Sequence, residues 1–302
     1  MESLKHTRDG SSPALHRKCQ LGRRRWSAIG VAVAIVIILV IVIPLAIILP
    51  NRGDKGRPSS VIFPLYIYPE SNSTWGPLYE AVLTHSDLNF VVVVNPESGP
   101  GSAALPDEAY QLAIRQLDTY PNVQKVGYVR TDYADRNVSE VLDDVATYSG
   151  WHAQSPDLAM AGIFFDESPH LYSDETVEYM NRINQAVKSS TGLQADRTVI
   201  HNPGTIPDAR LQVADTDITV VFEQSYDHYK SSQEAELTAL DADRDTWAYI
   251  FHSVPDLSSG SLQSFVDEIS HQAAYLYLTT RTDSYYEYFD SRLEEFCDVV
   301  PT

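Results

Sequence analysis

Eight short apolar runs divide residues 61–279 of this 302-residue chain: Val61–Tyr68, Asn89–Asn95, Lys125–Arg130, Ala161–Asp166, Thr198–Asn202, Ile218–Glu223, Trp247–His252 and Ala274–Thr279. Most are near-continuous rather than alternating in polarity, which is how strands buried on both faces read. Helical stripes lie between them: Tyr110, Ile114 and Leu117; Val138, Val141, Leu142 and Val145; Val177, Met180, Ile183 and Val187; Leu262, Phe265, Val266 and Ile269. Asn137 and Glu140 stand as the N-cap and N3 partner of the second stripe. Helical character is weaker at Trp75–Leu83 and Ser232–Leu240, and the link from Asn202 to Ile218 has room for little more than a turn of helix. Strands alternating with helices imply parallel βαβ units. Eight units in residues 58–302 match the size of a (β/α)8 TIM-type barrel, about 250 residues. A doubly wound open sheet is the alternative, but no G-x-G-x-x-G or G-x-x-x-x-G-K-[ST] follows a strand.

The N-terminal region is different in kind. Ser27 to Leu49 carries no charge, and its 23 residues are long enough as a helix to cross a hydrocarbon core of about 30 Å. Pro44 is tolerable near the end of such a span. Lys5, Arg8, Arg17, Lys18, Arg23, Arg24 and Arg25 precede it, whereas only Arg52, Lys55 and Arg57 follow closely. The positive-inside bias therefore predicts a single-pass type II membrane protein. Its parts are a cytosolic basic tail (1–26), a transmembrane signal anchor (27–49), a polar linker (50–60) and an extracellular or lumenal barrel (61–302). A cleaved signal peptide fits less well, because the apolar stretch is long for an h-region and the small-residue cleavage pattern is poor.

Residues 1–57 hold 10 of the 22 Lys and Arg and 3 of the 41 Asp and Glu, leaving 12 basic against 38 acidic side chains, a net of −26. Such a body repels nucleic acid and anionic lipid and attracts cationic ligands. Cys19 and Cys297 fall on opposite sides of the predicted membrane and cannot pair within one chain. Asn72-Ser73-Thr74 and Asn137-Val138-Ser139 match the glycosylation acceptor pattern at Asn72 and Asn137.

In a barrel of this type the C-terminal strand ends form the active face. Those ends read Tyr66 and Tyr68, Asn95, Tyr128 with Arg130 and Asp132, Asp166 with Glu167, His201 with Asn202, Glu223 with Tyr226, and His252. Carboxylates at the mouths of separate buried strands are costly unless hydrogen-bonded, paired or used in chemistry. Glycoside hydrolysis uses such a pair. Bland readings stand beside this one: Asp166 or Glu167 as a helix N-cap, Arg130 with Asp132 as a structural ion pair, and His201 as a satisfied core histidine. A metal site from His201, His252 and Asp166 has no supporting ligand spacing, and a serine hydrolase would want a G-x-S-x-G elbow, which is absent.

The motifs Val61-Ile62-Phe63-Pro64-Leu65-Tyr66-Ile67-Tyr68-Pro69, Val91-Val92-Val93-Val94-Asn95-Pro96, Gly127-Tyr128-Val129, Gly162-Ile163-Phe164-Phe165-Asp166-Glu167 and His201-Asn202-Pro203-Gly204 together resemble the spherulin-4 family. That resemblance implies glycoside hydrolase family 135, fungal (β/α)8 proteins that cleave α-1,4-linked galactosamine or N-acetylgalactosamine stretches of the exopolysaccharide galactosaminogalactan. It places the family's acidic residues on Asp166, Glu167 and Glu223 and implies no metal or organic cofactor. The expected partner is a cationic galactosamine-containing polysaccharide.

Successive strand residues point to opposite faces, so a regular strand would not bring both Asp166 and Glu167 to the barrel centre. Asp166 is then the expected nucleophile and Glu223 the expected acid/base, or the reverse. Tyr68, Asn95, Tyr128, Asn202, Tyr226 and His252 are the expected substrate-binding residues. A non-catalytic carbohydrate-binding coat protein and a metal-dependent deacetylase are the competing readings. Translated into microsomes, the chain is expected to resist carbonate extraction and to lose mass on deglycosylation, with that loss abolished by Gln at Asn72 and Asn137. A soluble lumenal product would mean that the apolar segment is cleaved.

Overall fold

The apolar runs form eight parallel strands: β1 (Ser60–Leu65), β2 (Phe90–Val94), β3 (Val123–Arg130), β4 (Gly162–Asp166), β5 (Thr198–Asn202), β6 (Ile218–Ser225), β7 (Trp247–His252) and β8 (Tyr275–Leu278). This computed structural model describes residues 55–240 and 244–302. The basic tail and the Ser27–Leu49 segment lie outside the described residues, among which no helix is long and apolar enough to cross a membrane. Each strand pairs with the next in sequence, and β8 pairs with β1. The sheet is thus a closed (β/α)8 barrel without an edge, which excludes the open-sheet alternative.

The four strong helical stripes become the helices Glu108–Leu117, Val138–Gln154, Asp174–Ser189 and Ser259–Ser270, and the weaker Trp75–Leu83 stretch becomes Gly76–Thr84. Where Ser232–Leu240 was expected to be helical, a broken run occurs: Tyr226–His228, a π-helical Tyr229–Gln233, and Glu234–Thr238. Asn137 does cap its helix, but its Oδ1 accepts from the Ser139 N–H at 3.0 Å, while Glu140 faces Arg136 at 3.7 Å instead. Asn72 and Asn137 are both exposed.

Outside the barrel, Phe222, Phe251, Tyr229 and Phe265 form a cluster of edge-to-face and tilted rings that seats the helices on β6 and β7. On β3, the Tyr148 ring lies so close that a Cβ on Gly127 would be 2.7 Å from it, and the Tyr148 hydroxyl donates to the Tyr128 carbonyl at 3.0 Å.

The two ends of the barrel differ. At the N-terminal end, buried Arg244 donates to the carbonyls of Ser270 (2.7 Å) and Pro58 (2.8 Å). Gly56 N–H reaches Asp267 Oδ1 at 3.1 Å, and Ser59 N–H reaches the Pro301 carbonyl at 2.8 Å. The stretch read as linker is therefore bound to the barrel from Gly56 onward. At the C-terminal end, the short β8 meets β1 only through Ser60↔Tyr275 and Val61↔Leu276. Beyond them the loop after β8 continues the wall, with Tyr66 N–H donating to the Tyr286 carbonyl at 3.2 Å.

One irregularity sets up the site. β6 pairs with β7 as Val220↔Ala248 and then Phe222↔Tyr249, so Val221 is an extra residue. This bulge reverses the two-residue alternation. Phe222 turns out to the helix layer and Glu223, opposite Ile250, turns in. Gly127→Ala is expected to cost about 1–3 kcal/mol by overpacking against Tyr148, read by urea unfolding, with the fold otherwise retained. An unchanged midpoint would show that the contact is looser than described.

Candidate active site

β4 delivers Asp166 into the barrel mouth and then breaks. Glu167 adopts a left-handed φ of 51°, unfavourable for a residue with a Cβ. The neighbouring β3 loop holds it there. Thr131 Oγ1 donates to the carbonyls of Asp166 (2.9 Å) and Glu167 (2.8 Å), and Tyr133 N–H donates to the Glu167 carbonyl at 2.6 Å. The expectation that the two acids face opposite ways rested on a regular strand, and the turn removes it: both line one cleft. Glu167 bends toward Arg130 (2.6 Å), which also holds Asp132 (2.7 Å). Neither acid caps the next helix; Ser173 does, its hydroxyl accepting from Thr176 N–H at 3.0 Å.

Asp166 and Glu223 are joined by one amide. Asn202 Nδ2 donates to Asp166 Oδ1 at 2.7 Å and to Glu223 Oε2 at 2.6 Å. The amide is oriented by Gly204, whose N–H donates to Asn202 Oδ1 at 3.0 Å. Gly204 has φ +65°, suited to glycine, and its carbonyl accepts from Glu223 N–H at 3.0 Å. The remaining carboxylate oxygens each take a phenol: Tyr128 donates to Asp166 Oδ2 (2.7 Å) and Tyr286 to Glu223 Oε1 (2.6 Å). Tyr66 sits edge-on between these two rings, 5.4 Å from each.

Burial raises the pKa of both carboxyls. For Asp166, hydrogen bonds from Tyr128 and Asn202 oppose it. For Glu223, the Asp166 charge adds to burial, while bonds from Tyr286 and Asn202 oppose them. Two adjacent carboxyls whose proton affinity is raised by burial, with the Asp166 charge adding to it at Glu223, are suited to one acid and one base. They open onto a cleft of about 510 Å³, also lined by Tyr133, His170, His252 and Tyr285.

The other expected residues divide. Tyr128 and Asn202 touch the carboxylates, and His252 lines the cleft, its ring stacked on Tyr285 at 3.9 Å. Tyr68, Asn95 and Tyr226 do not line it. Tyr68 donates to Asp107 at 2.9 Å, Tyr226 packs on Phe265 at 5.0 Å, and Asn95 Oδ1 is buried without a hydrogen bond. His201 faces outward, its Nε2 2.7 Å from Asn184 Oδ1, and burial lowers its pKa to about 3. It is a neutral core histidine. Among the described residues, no group of three or more His, Cys, Asp or Glu is placed to hold a metal ion.

The profile of the spherulation-specific family 4 (Spherulin4) matches residues 60–300. The chain belongs to the spherulin-4 family. This is glycoside hydrolase family 135. The Spherulin-4 of Physarum polycephalum is 29% identical over 213 residues, 70% of this chain; the match spans 59% of that relative's own length. The crystal structure of Aspergillus clavatus Sph3 in complex with GalNAc has a TM-score of 0.78 and 41% identity, covering 82% of this chain and 99% of that one.

Sequence reading missed Tyr133, His170, Tyr285 and Tyr286, which come from loops after β3, β4 and β8 rather than from strand ends. The run Tyr285-Tyr286-Glu287-Tyr288-Phe289, aromatic yet outside any helical stripe, was the available signal for the last two.

Because burial raises the folded-state pKa of Glu223, the folded protein holds this proton more tightly than the unfolded chain. The stability it costs is absent at low pH and grows as pH rises through the folded value. Glu223→Gln is therefore expected to gain melting temperature relative to wild type between about pH 4 and pH 8. A constant difference across that range would contradict the desolvation of this group.

Proposed function

We propose that this protein is an endo-acting glycoside hydrolase that cleaves α-1,4-linked galactosamine or N-acetylgalactosamine stretches of galactosaminogalactan. The observation that carries the reading is the pair Asp166 and Glu223, donated to by a single Asn202 nitrogen at the floor of an open cleft. The likeness to Sph3, crystallised with GalNAc, supports an amino sugar as the bound unit.

Two oxygens bonded to one nitrogen at 2.7 and 2.6 Å stand roughly 5 Å apart or less. That spacing favours the retaining class, at about 5–5.5 Å, over the inverting class, at about 6.5–9.5 Å, which needs room for water. In this mechanism Asp166 attacks the anomeric carbon and Glu223 protonates the leaving glycosidic oxygen. Glu223 then deprotonates the water that releases the sugar from Asp166. Burial and the Asp166 charge both raise the proton affinity of Glu223, as a group that must deliver a proton requires. Glu167, tied to Arg130, contributes negative charge at the rim. Diffusion of a partly deacetylated, cationic polymer toward the acidic body is favoured by charge.

The type II anchor belongs to the same proposal. Its support is the uncharged Ser27–Leu49 segment with its basic N-terminal flank. It holds the barrel on the outer or lumenal side, where the exposed Asn72 and Asn137 meet the glycosylation machinery.

Incubated with galactosaminogalactan, the wild-type protein is expected to release short oligosaccharides whose new reducing ends are first α by NMR. Asp166→Asn and Glu223→Gln are expected to lower turnover about 10²–10⁴-fold with the fold retained. Binding without cleavage by folded wild type would move the assignment to a carbohydrate-binding protein.

A further inference from the structure

The cleft carries aromatic rings at two ends, contributed by opposite sides of the barrel. In an eight-stranded barrel closed in sequence order, β3 lies across from β7 and β4 across from β8. Tyr133 follows β3 and His170 follows β4, while His252 ends β7 and Tyr285 follows β8; all four line the cleft. Asp166, Asn202 and Glu223 come from β4, β5 and β6, on the arc between these flanks.

Tyr133 is held in place against its own backbone preference. Asp132, Tyr133 and Ala134 have φ of 53°, 54° and 74°, three successive left-handed residues that all carry a Cβ. Hydrogen bonds impose the turn: Ala134 N–H to the Thr131 carbonyl (3.1 Å), Asp135 N–H to the Asp132 carbonyl (2.7 Å), and Tyr133 N–H to the Glu167 carbonyl (2.6 Å). The product is a ring 52% exposed at the cleft edge, set edge-on to His170 at 6.4 Å. Strain of this kind persists where surrounding structure over-determines it, commonly at ligand clamps. The opposite flank is prebuilt as well. The rings of His252 and Tyr285 stack at 3.9 Å and 17°. His252 Nδ1 is 2.9 Å from Ser253 Oγ, and Ser253, with φ of 53°, donates its N–H to the Arg281 carbonyl at 2.9 Å.

We propose that Tyr133 on one flank and the His252–Tyr285 stack on the other are sugar-binding platforms on opposite sides of the scissile bond. The cleft then takes an internal stretch of amino-sugar polymer rather than a chain end. An aromatic face offers apolar area to a sugar's C–H face at low entropic cost, and a cleft with such platforms at both ends orients a chain across the carboxylates between them. This rests on the hydrolase reading and specifies how its substrate lies.

The test uses end-labelled α-1,4-N-acetylgalactosamine oligosaccharides of defined length. Tyr133→Ala and Tyr285→Ala are each expected to raise KM about tenfold with a smaller change in kcat. They are also expected to displace the preferred cleavage position along the oligomer in opposite directions. Tyr133→Phe is expected to restore the wild-type pattern, because the ring and not the hydroxyl is the platform. Tyr133→Gly removes the ring and relieves the left-handed turn; the same displacement together with a higher melting temperature separates ring loss from misfolding. Unchanged KM and cleavage position in both Ala variants would overturn the proposal while leaving the hydrolase reading intact. If wild type leaves the oligomers whole, the hydrolase reading fails. Affinity electrophoresis in gels containing galactosaminogalactan then decides the platforms: equal retardation of wild type and both Ala variants overturns them, and lost retardation supports them.

Discussion

Two carboxyl groups sharing one amide at a buried strand mouth are the arrangement on which the rest of this site depends. Like charges that close, taken out of water, do not both ionise freely. The structure answers with donors. Asn202 supplies an N–H to each acid, and Tyr128 and Tyr286 supply an O–H to each outer oxygen. Only an amide nitrogen offers two neutral donors in a fixed plane, and Gly204 N–H on Asn202 Oδ1 decides which end of the amide faces the acids. A lysine there would pair and neutralise them, and a third acid would repel. The set leaves both carboxyls hydrogen-bonded yet raised in proton affinity by burial.

The closed barrel makes this possible by dividing its labour between two ends. The N-terminal end is bound together, with Arg244 and the Gly56–Ser59 segment joined to Ser270, Asp267 and Pro301. At the C-terminal end, left-handed backbones surround the cleft, at Asp132, Tyr133, Ala134, Glu167 and Ser253. Each follows a strand whose register is set by its neighbours, so the barrel wall supplies the rigidity that keeps the rim strained. The Thr131 hydroxyl bridging the Asp166 and Glu167 carbonyls shows the coupling directly, since the β3 loop holds the turn that ends β4.

The order of strands and helices was legible because most strand residues are buried on both faces and the long helices each have an apolar stripe, patterns that the spacing of residue types along the chain records. The broken helical run after β6 was not, because it is shaped by the packing of Tyr229 against Phe222 and Phe251 and not by local period. Family membership was legible in the Gly162–Glu167 and His201–Gly204 motifs. The acids Asp166 and Glu223, with Tyr128 and Asn202, could be named from strand ends. Tyr68, Asn95 and Tyr226 stand at equally plausible positions in the chain, yet their side chains go to Asp107, to an unbonded burial and to Phe265.

By itself, then, the sequence determined the eightfold βα alternation, the acidic character of the body and which strands end in carboxylates, because these follow from residue type and local spacing. The tertiary structure decided which carboxylates meet. Val221 as an unpaired extra residue turns Glu223 inward, the left-handed turn at Glu167 keeps a second acid on the same cleft, and the loop after β8 folds Tyr286 back onto Glu223. None of these is a local property. A bulge exists only relative to the neighbouring strand, a strained turn only through the bonds that hold it, and a loop contact only once the barrel has closed.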